Sequence, residues 1–434
     1  MTDEQIAALG PAFAAELRRY HDCFGQVRIT RHFDNYCRGL LSDLPRKSVE
    51  PIALAAGTAV RTLQEFLVTT NWDHLRARDR LQRRLADAVA ELPPDPLGVV
   101  GVIDETSCVK KGDQTPGVQR QYLGCVGKID NGVVTVHIGV ATGRFQALLD
   151  AELYLPQSWA TDRERCREAG IPDDVRYRAK WRIALDQLIR LRTNGVTFDW
   201  LTFDEGYGSK VPFLWVLGLV NQKFVAEVPT NFSVRNAPDG PSRRVDRHQP
   251  GARTGRWRRY RIGRKTQADR VWRARRTRVW VARRWHTLVT AVNETTGEVK
   301  YFITNAVGEP LGRILAVAFR RATVEHAFRV AKTEAGLMHF EGRQYVGLVR
   351  HLILTLVVLG FVAVHTERLR GKNPEVTQEQ VCRALNAVCQ RRFRRQRGTG
   401  DLPHVGEVIR YHQQRNEQAT RSHKKRPHEC VIRN

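Results

Sequence analysis

The chain lacks the cysteine pattern of a zinc-binding or disulfide-stabilised domain. Its 434 residues include eight cysteines, and no two of them form a CxxC pair. A structural zinc site needs closely spaced ligand pairs, so this spacing argues against one. Disulfides are rare in the reducing compartment that we expect for this chain. The cysteines are Cys23, Cys37, Cys108, Cys125, Cys166, Cys382, Cys389 and Cys430.

The sequence also lacks a long apolar segment and a leader-like N-terminus. Its most apolar run, LILTLVVLGFVAV at 352–364, is shorter than the ~20 residues that a spanning helix needs, and it predicts a buried core helix. The first residues, MTDEQIAALG, have neither the basic region nor the apolar core of a secretory signal. We therefore expect a cytoplasmic protein with no membrane partner.

Acidic residues are few relative to basic ones. The chain has 45 Asp and Glu against 71 Lys and Arg, which gives a formal net charge of +26. Such an excess favours a polyanionic partner, and nucleic acid is the first candidate. The hydrophobic content of 42% indicates a globular chain, and its length is sufficient for two or three domains.

Changes in composition divide the sequence into five segments. Basic residues along the helical first segment predict DNA binding, although a plain helical support fits the same pattern. The Pro93–Pro96 linker ends that segment. The predicted domains are a helical DNA-binding domain (1–95), the first part of a catalytic core (96–228), an arginine-rich β insertion (229–310), the helical second part of the core (311–370) and a basic helical region with a tail (371–434).

The segment after the linker has the element order of a mixed sheet. LGVVGVID, QRQYLGCVG and NGVVTVHIGVAT are predicted strands, and Asn131-Gly132 is predicted to form a hairpin turn between the last two. A helix, the strand VTFDWLTFD, a second helix and the strand QKFVAEVP follow. This order predicts an α/β protein with an RNase H-like mixed-sheet core, in which the first strand lies beside the fourth.

Two of the predicted strands end on paired carboxylates. VVGVIDETS leads into Asp104 and Glu105, and LTFDEGYGSK leads into Asp204 and Glu205. Successive side chains of a strand face opposite sides, so only one carboxylate of each pair can face a common site. If the two strands are neighbours, Asp104 and Asp204 lie side by side and repel each other unless a cation neutralises them. Carboxylate oxygens suit Mg²⁺, and two such ions can activate an attacking oxygen and stabilise a leaving one.

A third acid is expected from a helix. The segment LGRILAVAFRRATVEHAFRVAKTEAGL predicts one long helix, on which Arg321, Glu325 and Lys332 share a face. A carboxylate between two cations suits a metal ion and a DNA phosphate together, although an ordinary solvated face gives the same pattern. Weaker candidates for the third acid are Glu309, Glu334 and Glu341.

The predicted insertion interleaves arginine with tryptophan, as in RVWRARRTRVWVARRW. Arginine binds phosphates and aromatic rings stack on bases, which favours a DNA-binding surface over a solvated charged sheet. The candidate DNA-binding residues of the insertion are Arg258, Arg275, Trp257 and Trp272. The candidates for stacking on a base are Trp257, Trp272, Trp280 and Trp285.

The sequence resembles DDE-type insertion-sequence transposases, and within them the insertion-sequence family numbered 701. The stretches that carry the resemblance are GVIDETSCVKKG, QRQYLGCVGKIDNGVVTVHIGVAT, LTFDEGYG and VEHAFRVAKTEAGLMHFEGRQYVGLVRH. The resemblance implies an RNase H-like core with a β-rich insertion, flanked by helical N- and C-terminal regions. It also implies that Asp104, Asp204 and Glu325 are the catalytic, metal-binding acids.

A related larger group, the insertion-sequence family numbered 4, has a Tyr, Arg, Glu and Lys pattern around its third acid. Arg321, Glu325 and Lys332 keep the last three spacings, and Ala318 occupies the tyrosine position. By this resemblance Arg321 and Lys332 are expected to contact the DNA backbone near the scissile phosphate.

The implied function is a DNA transposase. It binds terminal inverted repeats as a homodimer, cleaves the element ends with two Mg²⁺ ions (or Mn²⁺ in their place) and joins the 3′ ends to target DNA. The expected setting is the bacterial cytoplasm, in association with the nucleoid. Two alternatives stay open because a fold does not settle function: an RNase H-like nuclease without strand transfer, and a domesticated, non-catalytic DNA-binding regulator.

Overall fold

The computed structural model describes residues 1–248, 255–262 and 271–396, together with Gln413, Glu417 and Arg421. The predicted basic tail therefore lies almost entirely outside the described residues.

The described chain divides into two compact units by its internal contacts. The first unit contains Met1–Pro94, Asp104–Thr197 and residues 323–396, and the second contains Asp95–Ile103 and Phe198–Ala322. Both units are therefore built from segments that are distant in sequence. The domain boundaries that composition suggested stay predictions.

The first unit begins with five helices. These are α1 (Asp3–Arg18), α2 (Val27–Leu40), α3 (Val49–Ala55), α4 (Val60–Val68) and α5 (His74–Ala90), with a 3₁₀ turn at His21–Cys23. Side-chain caps start two of them. The Thr2 hydroxyl accepts the Gln5 N–H at 3.3 Å while the Gln5 side chain accepts the Thr2 N–H at 3.0 Å, which satisfies two amides that a helix start leaves free. The Asp73 carboxylate accepts the Arg76 N–H at 2.8 Å at the start of α5.

An antiparallel arrangement around one long strand forms the sheet of the first unit. The elements are β1 (Val100–Val109), β2 (Gln119–Leu123), β3 (Lys128–Thr142), β4 (Phe145–Leu153), α6 (Gln157–Ala160), α7 (Arg163–Glu168) and α8 (Lys180–Thr193). Both β2 and β4 pair antiparallel with β3, and β1 is the neighbour of β3 on its other side. The strand β4 was not among the predicted strands.

The predicted hairpin turn at Asn131-Gly132 is wrong. Both residues lie inside β3 and pair with β2, and the chain turns at residues 124–127 instead. A β-carbon at Gly132 would overlap the carbonyl oxygen of Cys108 in β1, so the glycine permits a close approach of two strands. The Asn131 side chain donates to the carbonyl oxygen of Lys110 at 2.8 Å. The Asn-Gly pair therefore serves sheet packing and not a turn.

The second unit has a parallel core. Its elements after β1 are β5 (Trp200–Phe203), α9 (Glu205–Gly208), α10 (Val211–Leu219) and β6 (Phe224–Val228). The start of β1 pairs parallel with β5, and β5 pairs parallel with β6. Every residue of β5 is buried, as expected for a parallel strand that is covered on both faces. The predicted neighbour relation between the first strand and LTFD is confirmed.

Antiparallel strands of the predicted insertion extend this sheet. They are β7 (Ser233–Arg235), β8 (Ser242–Arg244), β9 (Arg258–Arg261), β10 (Val271–Val281), β11 (Arg284–Asn293) and β12 (Val299–Thr304), with a 3₁₀ turn at Val245–Arg247. β12 pairs with β6, β11 with β12, and β10 with β11. β7 and β9 pair with β10, and β8 pairs with β7. The mixed α/β sheet with a β-rich insertion is confirmed.

The predicted single helix over 311–337 is two helices, α11 (Leu311–Phe319) and α12 (Ala322–Glu334). At the break the Arg320 N–H donates to the Val317 carbonyl at 3.0 Å, a three-residue bond that tightens the helix end. Arg321 lies in the break and not on α12. The predicted common helical face of Arg321 with Glu325 and Lys332 is therefore wrong, and only the last two share α12.

Two further helices complete the described chain, α13 (Tyr345–Arg370) and α14 (Gln378–Gln396). By length and composition α13 is the one described helix that meets the criteria for a membrane span. Its most apolar window is 89% buried inside the protein, and α13 packs against β4 and α5. A core helix meets the same criteria, and this burial agrees with the core helix predicted from the sequence.

Candidate active site

Asp204 stands in the second unit where β5 passes into α9. The register between β1 and β5 ends with the pair Ile103 and Phe203. Asp104 is the next residue of one chain segment and Asp204 is the next residue of the other. The Asp204 carboxylate accepts the Tyr207 N–H at 3.3 Å and so caps α9. The aspartate is thereby held at the carboxyl end of a buried parallel strand.

The two glycines of DEGYG let this turn lie against the sheet. A β-carbon at Gly208 would overlap the carbonyl oxygen of Glu227 in β6 and lie 3.0 Å from its carbonyl carbon. A β-carbon at Gly206 would lie 3.1 Å from the Asp204 Oδ1 atom. The stretch LTFDEGYG therefore encodes a buried strand, a capping carboxylate and a helix that touches the next strand.

Burial and two nearby charges shift the pKa of the Asp204 carboxyl. Burial is the largest influence and raises its pKa, while the Arg321 guanidinium lowers it and the Glu227 carboxylate raises it. Arg321 Nη2 lies 3.6 Å from Glu227 Oε2, and Lys300 Nζ lies 2.6 Å from Glu227 Oε1. Because burial penalises the ionised form, a cation next to Asp204 would stabilise its carboxylate.

Asp104 lies within β1 and not at its end, which corrects the expectation of a strand that stops on its carboxylates. β1 continues to Val109, and Asp104 is only 9% exposed. Its Oδ1 atom accepts the Glu105 N–H at 2.7 Å. The Glu105 carboxylate is held by the Lys180 ammonium at 2.7 Å, so its charge already has a partner within the first unit.

Glu325 is an exposed residue near the start of α12 in the first unit. The helix packs on β3. A β-carbon at Gly139 would lie 3.3 Å from Val324 Cγ2, and the Phe328 ring meets the His137 ring edge-on at 5.0 Å. Burial, with a smaller contribution from the charge of Lys332 on the same helix, lowers the pKa of His137 to about 3. A neutral buried histidine and a glycine thus seat the helix that carries Glu325.

The chemistry of the three acids suits a hard divalent cation. Asp104, Asp204 and Glu325 offer only carboxylate oxygens, the donors that Mg²⁺ prefers. Among the residues that the structure describes, no three His, Cys, Asp or Glu side chains are grouped closely enough to hold a metal ion. The donor set of the three acids fits such a metal ion.

A basic cleft of about 920 Å³ lies in the second unit, between β9, β10 and the start of α11. Arg276 is fixed there by a hydrogen bond from Nη1 to the Glu309 carbonyl oxygen at 3.1 Å. The start of α11 has no side-chain cap, so its first amides add positive potential to the cleft. The lining residues include Arg256, Arg258, Tyr260, Arg276, Thr277, Arg278, Leu311 and Gly312.

The tryptophans of the insertion differ in exposure. Trp257 is 41% exposed, and the Arg275 guanidinium lies 4.8 Å from its ring centre. Trp272 is only 4% exposed and packs on Phe319 at 4.9 Å, so it contributes to the core and presents no open face to a base. Trp280 and Trp285 meet edge-on at 5.4 Å, and Arg278 covers Trp285 at 4.2 Å.

Comparison with known proteins agrees with this architecture. A sequence profile described as "DDE superfamily endonuclease" matches residues 19–291. The chain belongs to the DDE superfamily endonucleases. It is also 32% identical over 222 residues to the "Probable transposase for insertion sequence element IS701" of Microchaete diplosiphon, which covers 50% of this chain and 54% of that protein. The chain thus spans about half the length of that relative. The resemblance stated from the sequence is confirmed.

Several residues of this DDE endonuclease were not found from the sequence. Glu227 and Lys180 engage Arg321 and Glu105, and both partnerships join segments that are far apart in the chain. The cleft arginines were detectable in principle, because residues two apart in a strand share a face and β10 carries Arg276 and Arg278. Only the position of α11 reveals that this face borders a cleft.

Proposed function

We propose that the protein is a DNA transposase. It binds the terminal inverted repeats of its element, cleaves the DNA at the element ends and joins the 3′ ends to target DNA. Membership of the DDE superfamily endonucleases and the likeness to an insertion-sequence transposase support this proposal. The proposed setting is the bacterial nucleoid, with a homodimer holding two element ends.

One observation carries the proposal. The parallel register of β1 with β5 ends at Ile103 and Phe203, directly before Asp104 and Asp204. The residues that follow two paired strands start from neighbouring positions, and two carboxylates side by side need a cation to neutralise them. Asp104, Asp204 and Glu325 are the proposed catalytic acids.

These three acids would hold two Mg²⁺ ions, with Mn²⁺ as a substitute. When bound, the metal lowers the pKa of an attacking water and stabilises the oxygen that leaves. Asp204 is suited to this role because it is already oriented by the Tyr207 amide and sits in a partly buried position that favours a neighbouring cation. The Arg321 guanidinium lowers the pKa of Asp204 and so offsets part of the increase that burial causes.

Basic residues would hold the DNA. Arg321 and Lys332 are proposed to contact phosphates near the scissile bond, Arg as a fork and Lys as a point charge. Within the second unit, the basic cleft with Arg258 and the exposed Trp257–Arg275 pair are further proposed DNA contacts. Trp257 is the proposed stacking residue of the insertion, because Trp272 has no exposed ring face.

The test is cleavage of a supercoiled plasmid that carries the reading frame with its flanking DNA. Wild type is compared with Asp104→Asn, Asp204→Asn and Glu325→Gln in Mg²⁺ and in EDTA. The control is Asp239→Asn, which removes an exposed carboxylate of the second unit. We expect nicks at two defined ends, followed by strand-joined products, in wild type and the control alone.

Each alternative function has its own outcome. Nicks at defined ends without joined products would indicate a nuclease instead of a transposase. Tight, metal-independent DNA binding with no cutting by any protein tested would indicate a DNA-binding regulator instead of a transposase. Equal cutting by wild type and Asp204→Asn would refute the assignment of the acids.

A further inference from the structure

Three helices of the first unit, α2, α3 and α4, contact one another pairwise. Residues 41–48 join α2 to α3, whereas only residues 56–59 join α3 to α4. A short turn that contains glycine joins the two packed helices of a helix-turn-helix, in which a third helix packs on both. The second helix of such a pair is the one that enters the major groove of DNA.

The turn between α3 and α4 is held in one conformation. Gly57 has a φ of 63°, and nothing lies within 4 Å of a β-carbon built on it, so the glycine is needed for its backbone angle. The Thr58 N–H donates to the Ala53 carbonyl at 2.9 Å, the closing bond of a Schellman motif. This bond stops α3 and fixes the direction in which α4 leaves.

The inner face of α4 is anchored and its outer face is polar. Leu63, Phe66 and Leu67 are fully buried or nearly so. Arg61 and Gln64 are exposed on the opposite side, one turn apart, and the Arg61 side chain is 80% exposed. Arg61 pairs with Glu65 at 2.7 Å, an exposed ion pair that a stronger partner can replace at little cost. Exposed side chains on a helix that is fixed by packing can contact the edges of DNA bases.

The residue types on that face match the edges of bases. Arginine donates in bidentate fashion to guanine, and glutamine pairs in bidentate fashion with adenine. Arg28 and Arg31 are exposed on α2, where His32 meets the Phe66 ring of α4 at 6.2 Å. These exposed arginines are on the helix that packs against α4, and such residues can bind phosphates.

We propose that α4 is a recognition helix that reads double-stranded DNA in the major groove through Arg61 and Gln64, with Arg28 and Arg31 on the phosphates. This rests on the proposed function, since the sequence that α4 reads would lie in the terminal repeats. It assigns sequence recognition to the first unit, apart from the acids and from the basic cleft.

The test uses the full chain in EDTA and a randomised duplex DNA library from which bound molecules are selected and sequenced. Wild type is expected to enrich one motif. Arg61→Ala and Gln64→Ala are expected to relax that motif at different base pairs and to weaken binding to the selected duplex roughly 5- to 150-fold. Binding to an unrelated duplex should not change. The matched control is Arg192→Ala, an exposed arginine on α8 of the same unit.

A further variant at position 64 distinguishes a lost base contact from a loss of folding. Gln64→Glu keeps the shape of the side chain and is expected to change the preferred base at one position from adenine to cytosine, because a carboxylate accepts from the cytosine amino group. Arg28→Ala and Arg31→Ala should weaken binding to selected and unrelated duplexes alike, and each should lower the salt slope by roughly 1. A change of preference cannot arise from unfolding.

The proposal is overturned if wild type enriches no motif, or if the α4 variants enrich the same motif with the same affinity. Failure of the proposed function is distinguishable, because the selection needs no metal and no cleavage. A chain that selects a motif through α4 but never nicks DNA would refute the transposase and leave the recognition helix in place.

Discussion

The variant Gly208→Ala tests whether the backbone of α9 packs directly on the backbone of β6. In Gly208→Ala the new methyl group would overlap the Glu227 carbonyl oxygen and lie 3.0 Å from its carbonyl carbon. Ordinary carbon contacts are ~3.5–4.0 Å, so α9 and β6 must separate by roughly 0.5–1 Å, and by more at the oxygen. Because the obstacle is backbone in a buried strand, a side-chain rotation cannot relieve it.

The expected cost is about 2 kcal/mol, from overpacking of ~1–3 kcal/mol partly offset by the better helix propensity of alanine. For a unit of this size that corresponds to a fall in melting temperature of about 5–10 °C. The displacement also moves the turn that Asp204 caps, so DNA nicking should fall together with stability.

Two measurements check this expectation, thermal unfolding and hydrogen exchange of peptides that cover β5, α9 and β6. The control is Gly124→Ala, because a β-carbon there meets nothing within 4 Å. We expect Gly124→Ala to stay within about 0.5 kcal/mol of wild type. An unchanged melting temperature and unchanged exchange in Gly208→Ala would refute the close contact between α9 and β6.

Three further expectations follow from the site and the core. Burial raises the pKa of Asp204 above 3.8, so its stabilising contribution is full below that pH and is lost as pH rises through the raised value. Asp204→Asn should therefore raise the melting temperature of metal-free protein at pH 7 and change it little near pH 3, while added Mg²⁺ should stabilise only wild type. Arg350 is 5% exposed and donates to four main-chain carbonyls around the end of α4. Arg350→Ala should cost about 3 kcal/mol in urea unfolding because each of those carbonyls loses a hydrogen bond. The exposed Arg368→Ala on the same helix should cost under about 0.5 kcal/mol, and equal effects would contradict this role. Replacing Arg276 and Arg278 of the cleft by alanine should lower the slope of log affinity against log salt by roughly 0.9 each, and an unchanged slope would place the DNA elsewhere.

The sequence by itself determined the elements with strong local signals. Buried parallel strands read as continuous apolar runs, so VVGVI and WLTF were recognisable, and their order predicted that they would be neighbours. The excess of positive charge and the alternation of arginine with tryptophan predicted a basic β insertion. The apolar run of α13 predicted a core helix for the same reason. In each case the physical cause lies within the segment itself.

Only the tertiary structure decided what depends on partners distant in the chain. Asn131-Gly132 has the composition of a turn, but the glycine serves the approach of β1 to β3. Trp272 has the composition of a DNA-stacking residue, but Phe319 covers it. Arg321 has helical spacing to Glu325, but the chain breaks there and Arg321 acts on Asp204 and Glu227. Local patterns record which conformations a segment prefers, whereas burial and charge pairing depend on the segments that fold against it.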